Sequence, residues 1–293
     1  ICGGGPAGLT LAHLLGGEGI DVILLEKLAH TVTEPRAIAI DGESMRTLQK
    51  TGLLPGFAKE ILDGLEAEYV NGHGELLFRA GSPEHRPYGF ATVNSFDQPT
   101  LDRYLASSMR ERDSVRLLFG HTLNRFEQDE SGVRLSCTDA GGEALEIHAD
   151  YLVGCDGGQS TVRSQLGIKM HGETNPQPWL VIDTRDSHLE NQLDCRFYCD
   201  PARPGMTIRK RHGERRWEWM LRPGEEREFL LDEDRIRNIL APHTDVDKVE
   251  IYRKRVYDFH AIIAETWQVG RIFLAGDAAH MTPPFAGQGL NSG

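Results

Sequence analysis

The sequence predicts an α/β protein: a dinucleotide-binding, Rossmann-like domain interrupted by an inserted, mostly antiparallel β-sheet domain. Three observations predict it. Glycines spaced G-x-G-x-x-G open the chain just before an apolar helical repeat, two later apolar runs end in an acid beside glycines, and a long middle stretch alternates as antiparallel strands do.

The first element is Gly3, Gly4, Gly5, Pro6, Ala7, Gly8, followed by Leu9, Leu11, Ala12, Leu14 and Leu15 at helical spacing. Gly3, Gly5 and Gly8 let the backbone turn tightly, and the helix start then directs unpaired N–H groups at a pyrophosphate. Asp21 to Leu25 reads as a strand ending at Glu26, eighteen residues past Gly8, where an acid can take ribose hydroxyls. A glycine-rich turn without a ligand is the plain alternative. The pattern does not separate a nicotinamide from a flavin dinucleotide, because both contain adenosine diphosphate.

Pro35, Arg36 and Ala37 follow in a loop, and Ser44 to Thr51 reads as a helix closed by Gly52. Asp97 is the expected N-cap of the next helix, with Gln98 and Pro99 in its first turn and Leu101, Leu105 and Met109 inward. Taken alone, Arg36 is a solvated loop charge and Gln98 an exposed amide. Val115 to Gln128, Val133 to Cys137 and Leu145 to His148 predict a small β-meander. Tyr151 to Val153 then forms an apolar strand tipped by Asp156, with Gly157, Gly158 and a helix start carrying Arg163. Ser160 has no G-x-S-x-G setting, which excludes it as a hydrolase nucleophile.

From about Gly167 to Val256 the texture changes to strands at 179–184, 194–199, 206–211, 215–221 and 248–257, with one helix at 233–240. Alternation places Trp217, Trp219 and Leu221 on one face, either as packed core or as an aromatic wall for a planar substrate. The chain ends with an apolar strand, Ile272 to Ala275, broken by Gly276 and tipped by Asp277. Pro283, Pro284 and Phe285 follow, and Gly287, Gly289 and Gly293 surround Gln288, Leu290 and Asn291, so backbone N–H groups can approach something flat or anionic.

With 293 residues, 39% hydrophobic and 26% charged, the chain has room for two cores. A formal charge of −12 argues against nucleic acid and anionic lipid, leaving small molecules as partners. Five scattered cysteines without a CxxC pair fit a reducing compartment, so the expected location is the cytoplasm. Cys195 and Cys199 lack nearby His partners, and no metal is expected. No apolar run reaches the roughly 18 residues that span a membrane. Only Ile1 and Cys2 precede the first glycine, so a fragment lacking both ends is expected.

In combination and in this order, the three motifs resemble those of class A FAD-dependent aromatic monooxygenases, the p-hydroxybenzoate hydroxylase fold. The likeness is nearer to the 3-(3-hydroxyphenyl)propionate hydroxylase branch, through Pro35 to Asp41, Cys155 to Gly158, Asp200 to Pro204, Met220 with Pro223 to Glu225, and Gln288 to Gly293. The resemblance implies an FAD-binding domain at 1–70, 91–166 and 258–293 and a substrate domain at 71–90 and 167–257. It implies that Gly3, Gly5, Gly8, Glu26, Arg36, Gln98, Asp156, Arg163, Asp277, Pro284, Gly287, Gly289, Leu290 and Asn291 bind cofactor. The flavin-facing loop would be Pro284, Phe285 and Gly289, with Trp217 and Trp219 as substrate candidates and no certain catalytic side chain. The implied reaction takes NADH or NADPH and O₂ and hydroxylates a phenol through a C4a-hydroperoxyflavin; a homo-oligomer is compatible with it. A related halogenase, a reductase or another phenol or polyketide hydroxylase is the alternative. Trp-x-Trp also resembles flavin halogenases, but Leu221, Arg222 and Pro223 depart from their Ile-Pro pattern.

Overall fold

The computed structural model describes residues 1–185, 193–225, 227, 232–284 and 287–293. Its first sheet is parallel: Val115–Phe119 pairs with Val22–Glu26, Cys2 bridges that strand to Leu152–Gly154, and Ile272–Leu274 pairs beyond it. Gln268–Val269 adds a short antiparallel edge. The strands are short and apolar, as suits a sheet covered on its faces. The helix Pro6–Gly17 packs so tightly on the sheet that a Cβ on Gly16 would lie 2.5 Å from Val115. Leu9, Ala12, Leu24, Met45, Leu48, Phe57, Leu105 and Met109 form the core on that side.

The predicted helices are present, the one expected at Ser44 to Thr51 starting two residues earlier, at Gly42. Asp41 accepts from the Ser44 N–H ahead of Gly42–Lys50, and Asp97 accepts from the Thr100 N–H at the start of Gln98–Ser108. The meander differs from expectation. Val115–Phe119 belongs to the parallel sheet, and the left-handed Gly120 (φ 72°) turns the chain into Thr122–Gln128, Val133–Thr138 and Ala144–Ala149, which form the meander. A continuous alternating run concealed this turn, since Gly120 was its only punctuation.

The inserted domain is a seven-stranded sheet in the order Glu250–Tyr257, Trp179–Arg185, Glu214–Met220, Gly205–Arg209, Cys195–Cys199, Ala67–Asn71, Leu76–Ala80. The expected boundaries shift accordingly. Ala67 to Val70, expected in the cofactor domain, pair in parallel with Cys195 to Tyr198 and lie in the large sheet together with Asn71. Conversely, Met170–Thr174 pairs with His260–Ala264, and Met170 packs with Leu152 and Ile272, which places this strand with the nucleotide domain.

The helix Glu233–Leu240 covers one face of the large sheet, where Ile236 and Leu240 pack on Leu180, Ile182, Trp217, Trp219 and Leu221. The opposite face meets the nucleotide domain through Ile208, Met206 and Cys195, which pack with Ile38 and Leu65. Among the described residues, no helix is long and apolar enough to cross a membrane.

Candidate cofactor and substrate site

Three acids stand at strand tips around the first glycine loop. Glu26 ends its strand with one oxygen accepting from Gly4 N–H at 2.7 Å and the other from Leu28 N–H at 2.9 Å. A carboxylate has about four acceptor positions, so capacity remains for hydroxyls. Asp156 uses Oδ2 to accept from the N–H groups of Thr161 and Val162, while its Oδ1 is buried without a partner. Asp277 lies in the turn after Ile272–Leu274, open to solvent on one side and crowded by protein on the others. That crowding raises its carboxyl above the ordinary 3.8, opposed by Arg36 and His280.

The glycines between these acids divide by what they do. Gly3 has φ 111° and a Cβ there would sit 2.2 Å from the Cys155 carbonyl oxygen; one on Gly8 would sit 2.0 Å from the Gly3 carbonyl oxygen. Both are required by close backbone approach. A Cβ on Gly5 would meet nothing within 4 Å, and Gly5 caps the Pro6–Gly17 helix without any side-chain bond. The helix start is therefore open for an anion. An orphaned buried Asp156 oxygen, an open helix start and acids with spare acceptor capacity fit a dinucleotide such as FAD.

The remaining expected residues take more structural positions than the sequence suggested. Arg163, expected as a cation beside phosphate, is buried at 8% exposure and donates to the carbonyls of Ala278 at 3.0 Å and Gly158 at 2.6 Å. It braces the Asp156 loop to the Asp277 turn. Gln98 is likewise buried; its Oε1 accepts from Ala37 N–H at 2.8 Å, fixing the loop that carries Arg36. Behind it lies Asp102, whose carboxyl burial pushes up to about 7. Arg36 is exposed, and its charge reaches Asp277.

Gly287 is left-handed (φ 71°) and starts the short helix Gln288–Asn291, in which Gly289 has open space apart from Thr282, while Leu290 packs toward the core. Asn291 Oδ1 accepts from Asp41 N–H at 3.1 Å and Ser44 Oγ–H at 2.8 Å, and its Nδ2 donates to the carbonyls of Ala39 and Gly287. The side chain fastens the last loop to the front of the nucleotide domain. Pro284 is half-buried, and its carbonyl accepts from Gly287 N–H. Phe285 lies outside the described residues. His280 bonds the Ser292 carbonyl at 2.9 Å.

Trp217 and Trp219 do not form a wall facing the nucleotide domain. They are 0% and 3% exposed, lie on the helix-covered face, and Trp219 stacks on His243 at 4.7 Å. The same alternation sends Arg216, Glu218 and Met220 to the other face, and Arg216 shows where that face looks. It donates to the carbonyls of Arg36 at 2.6 Å and Pro35 at 2.9 Å, while pairing through two bonds with Asp183. Sequence reading missed Asp183, Arg216 and Glu218. The available signal was charge alternating with tryptophan inside one strand, which implies a sheet buried on both faces. The recess of about 180 Å³ lined by Arg125, Glu127, Arg134 and Glu146 lies on the meander, away from all these groups.

The family described as "FAD binding domain" matches residues 1–293. The chain belongs to the FAD binding domain family. It is 41% identical to a 3-(3-hydroxy-phenyl)propionate/3-hydroxycinnamic acid hydroxylase of Comamonas testosteroni, over 100% of this chain and 50% of the relative. Identity to a hydroxylase of the same description from Burkholderia cenocepacia is 38%, over 100% of this chain and 54% of the relative. The chain thus spans about half the length of these curated relatives. Among solved structures, p-nitrophenol 4-monooxygenase from Pseudomonas putida superposes with TM-score 0.88 at 25% identity, covering 99% of this chain and 74% of the other. Aklavinone-11 hydroxylase in complex with FAD and aklavinone shares the fold, with TM-score 0.80, 23% identity, and coverage of 97% and 57%. The FAD-binding family assignment accords with the glycine loops and acid-tipped strands.

Proposed function

We propose that the protein carrying this chain is an FAD-dependent monooxygenase that hydroxylates a phenolic ring of the 3-(3-hydroxyphenyl)propionate type. The observation that carries this reading is the 41% identity, across the whole chain, to a relative bearing that substrate in its name. NADH or NADPH supplies reducing equivalents and O₂ the oxygen atom. When bound, FAD supplies electron transfer and oxygen activation.

The chain's own residues would hold and screen the cofactor. Gly5 and the Pro6–Gly17 helix start offer N–H groups to the pyrophosphate, and Glu26 accepts ribose hydroxyls. Asp277 accepts hydroxyls of the ribityl chain. Arg36, exposed beside Asp277, offers a cation to the phosphates. Gly287 and Gly289 let backbone N–H groups approach the ring system. Arg163, Gln98 and Asn291 position these loops through the bonds described above. The large sheet roofs the site and excludes water, which protects coupling between reduction and hydroxylation.

The test is to follow NADH and NADPH oxidation by the FAD-loaded protein with 3-(3-hydroxyphenyl)propionate and a panel of simple phenols, separating hydroxylated product from H₂O₂. Substrate-dependent hydroxylation is expected. Peroxide alone with every phenol, or halogenated product when halide is added, would overturn the reading.

A further inference from the structure

The strand Glu214–Met220 carries a carboxylate that nothing described above employs. Glu218 is only 8% exposed, and it has no hydrogen bond or ion pair among the described residues. Burial raises its carboxyl above the ordinary range, against the pull of Arg216. An unpaired buried carboxylate costs several kcal/mol by the usual scale, so a position that retains one calls for a partner.

Its surroundings are fixed by register. Glu218 stands opposite Met206 on one neighbouring strand and Val181 on the other, on the face whose Arg216 reaches the Pro35 and Arg36 carbonyls. Met206 itself packs with the cluster containing Ile38. Glu218 therefore faces the nucleotide domain from within an apolar patch, on the side of the sheet opposite Trp217 and Trp219.

The arginines around it direct their terminal nitrogens elsewhere. Arg216 spends its guanidinium on Asp183 and two carbonyls, and Arg253 donates to Asp183 and to Tyr257. Arg253 keeps one buried Nε–H without a partner, whereas no Nε, Nη1 or Nη2 of Arg216 is without one. The oxygens of Glu218 accept, and they are themselves negatively charged when ionised. A ligand group fitting there must donate a hydrogen and carry no negative charge, which describes a ring hydroxyl and not a propionate.

Resting on the hydroxylase reading, we propose that Glu218 accepts a hydrogen bond from the phenolic hydroxyl of the substrate. It thereby orients the ring with its carboxylate tail directed away from the sheet. A carboxylate in that position also draws the O–H proton toward itself, increasing electron density at the ortho and para carbons. Glu218 acts here as a specificity-determining residue.

The test compares equilibrium binding of 3-(3-hydroxyphenyl)propionate with 3-phenylpropionate, which lacks the hydroxyl, by calorimetry on the FAD-loaded holoenzyme. Wild type, Glu218→Gln and Glu218→Met are titrated, with FAD content and melting temperature recorded for each. Wild type is expected to favour the phenol by roughly ten- to hundred-fold, the span for a hydrogen bond to a charged group. That ratio should fall to about two-fold or less in Glu218→Met and be intermediate in Glu218→Gln, because only the neutral amide carbonyl accepts there. Variants retaining the wild-type ratio, or a wild type without preference, would overturn the assignment even if hydroxylation proceeds. A wild type that binds neither compound instead overturns the substrate class and the assignment with it. Loss of stability alone lowers both affinities together and leaves the ratio unchanged, so a purely structural role is separated by this measurement.

Discussion

A methyl group added at Gly5 meets nothing within 4 Å, whereas one added at Gly8 lies 2.0 Å from a backbone oxygen. The two glycines of one motif should therefore fail differently. Gly5→Ala is expected to leave the melting temperature of the FAD-free protein within about 2 °C of wild type, in line with a substitution away from packed features, while FAD affinity falls at least ten-fold. Gly8→Ala is expected to lower the melting temperature of the FAD-free protein itself, because the helix must move off Gly3; equal melting curves for both variants would contradict this division. Asp277→Ala should weaken FAD binding by about 1.5 to 3 kcal/mol, the range for a hydrogen bond to a charged group, measurable by fluorescence titration. Unchanged affinity would remove Asp277 from the site. At this scale the glycines and the acids Glu26, Asp156 and Asp277 were legible in the sequence, because strand-tip and loop positions follow from local pattern. What Arg163, Gln98 and Asn291 join together was not, since each has a partner on a segment far along the chain.

Elements were legible wherever the pattern had punctuation. The helix at Glu233–Leu240 and five strands of the large sheet lie within a residue or two of their expected ends, with the cap at Asp232 accepting from Arg235 N–H, while Ala67–Asn71 and Leu76–Ala80 were not expected as strands. Local alternation also put Trp217 and Trp219 on a common face, but which face met the nucleotide domain depended on a helix placed by tertiary packing. Trp217 is fully buried and donates through Nε1 to Thr184 at 3.1 Å. Trp217→Ala should cost about 3 to 5 kcal/mol in denaturant unfolding, as large-to-small changes in cores do. The folded fraction should keep the wild-type ratio of hydroxylated product to H₂O₂. A stable variant that releases mainly peroxide would return this face to the substrate pocket.

Over the whole molecule, the two domains are joined at a charged contact. Asp183 is 0% exposed and accepts from both Arg216 and Arg253, while Arg216 also holds the carbonyls of the Arg36 loop. Burial by itself raises the Asp183 carboxyl, but the hydrogen bonds and charge of Arg216 override it and hold the group below 3.8. A depressed carboxylate stabilises the fold at pH above the ordinary carboxylate range, and that contribution is lost as pH falls through its lowered native value. Asp183→Asn should therefore cost about 3 to 5 kcal/mol at neutral pH, since it strands two buried cations, and the gap to wild type should narrow below about pH 4. Chemical unfolding at pH 7 and pH 3.5 reads both; a gap independent of pH would reject the ion-pair account. None of this contact was legible beforehand, because a sequence shows charges but not which ones meet. The Asn291 fastening has a consequence in time. Its partner Asp41 lies 250 residues earlier, so at ordinary synthesis rates of 5–20 residues per second about 12 to 50 s separate the two on the ribosome. Ala39, Asp41 and Ser44 must wait that long for the side chain that fastens them, so this part of the nucleotide domain is completed only after Asn291 has emerged.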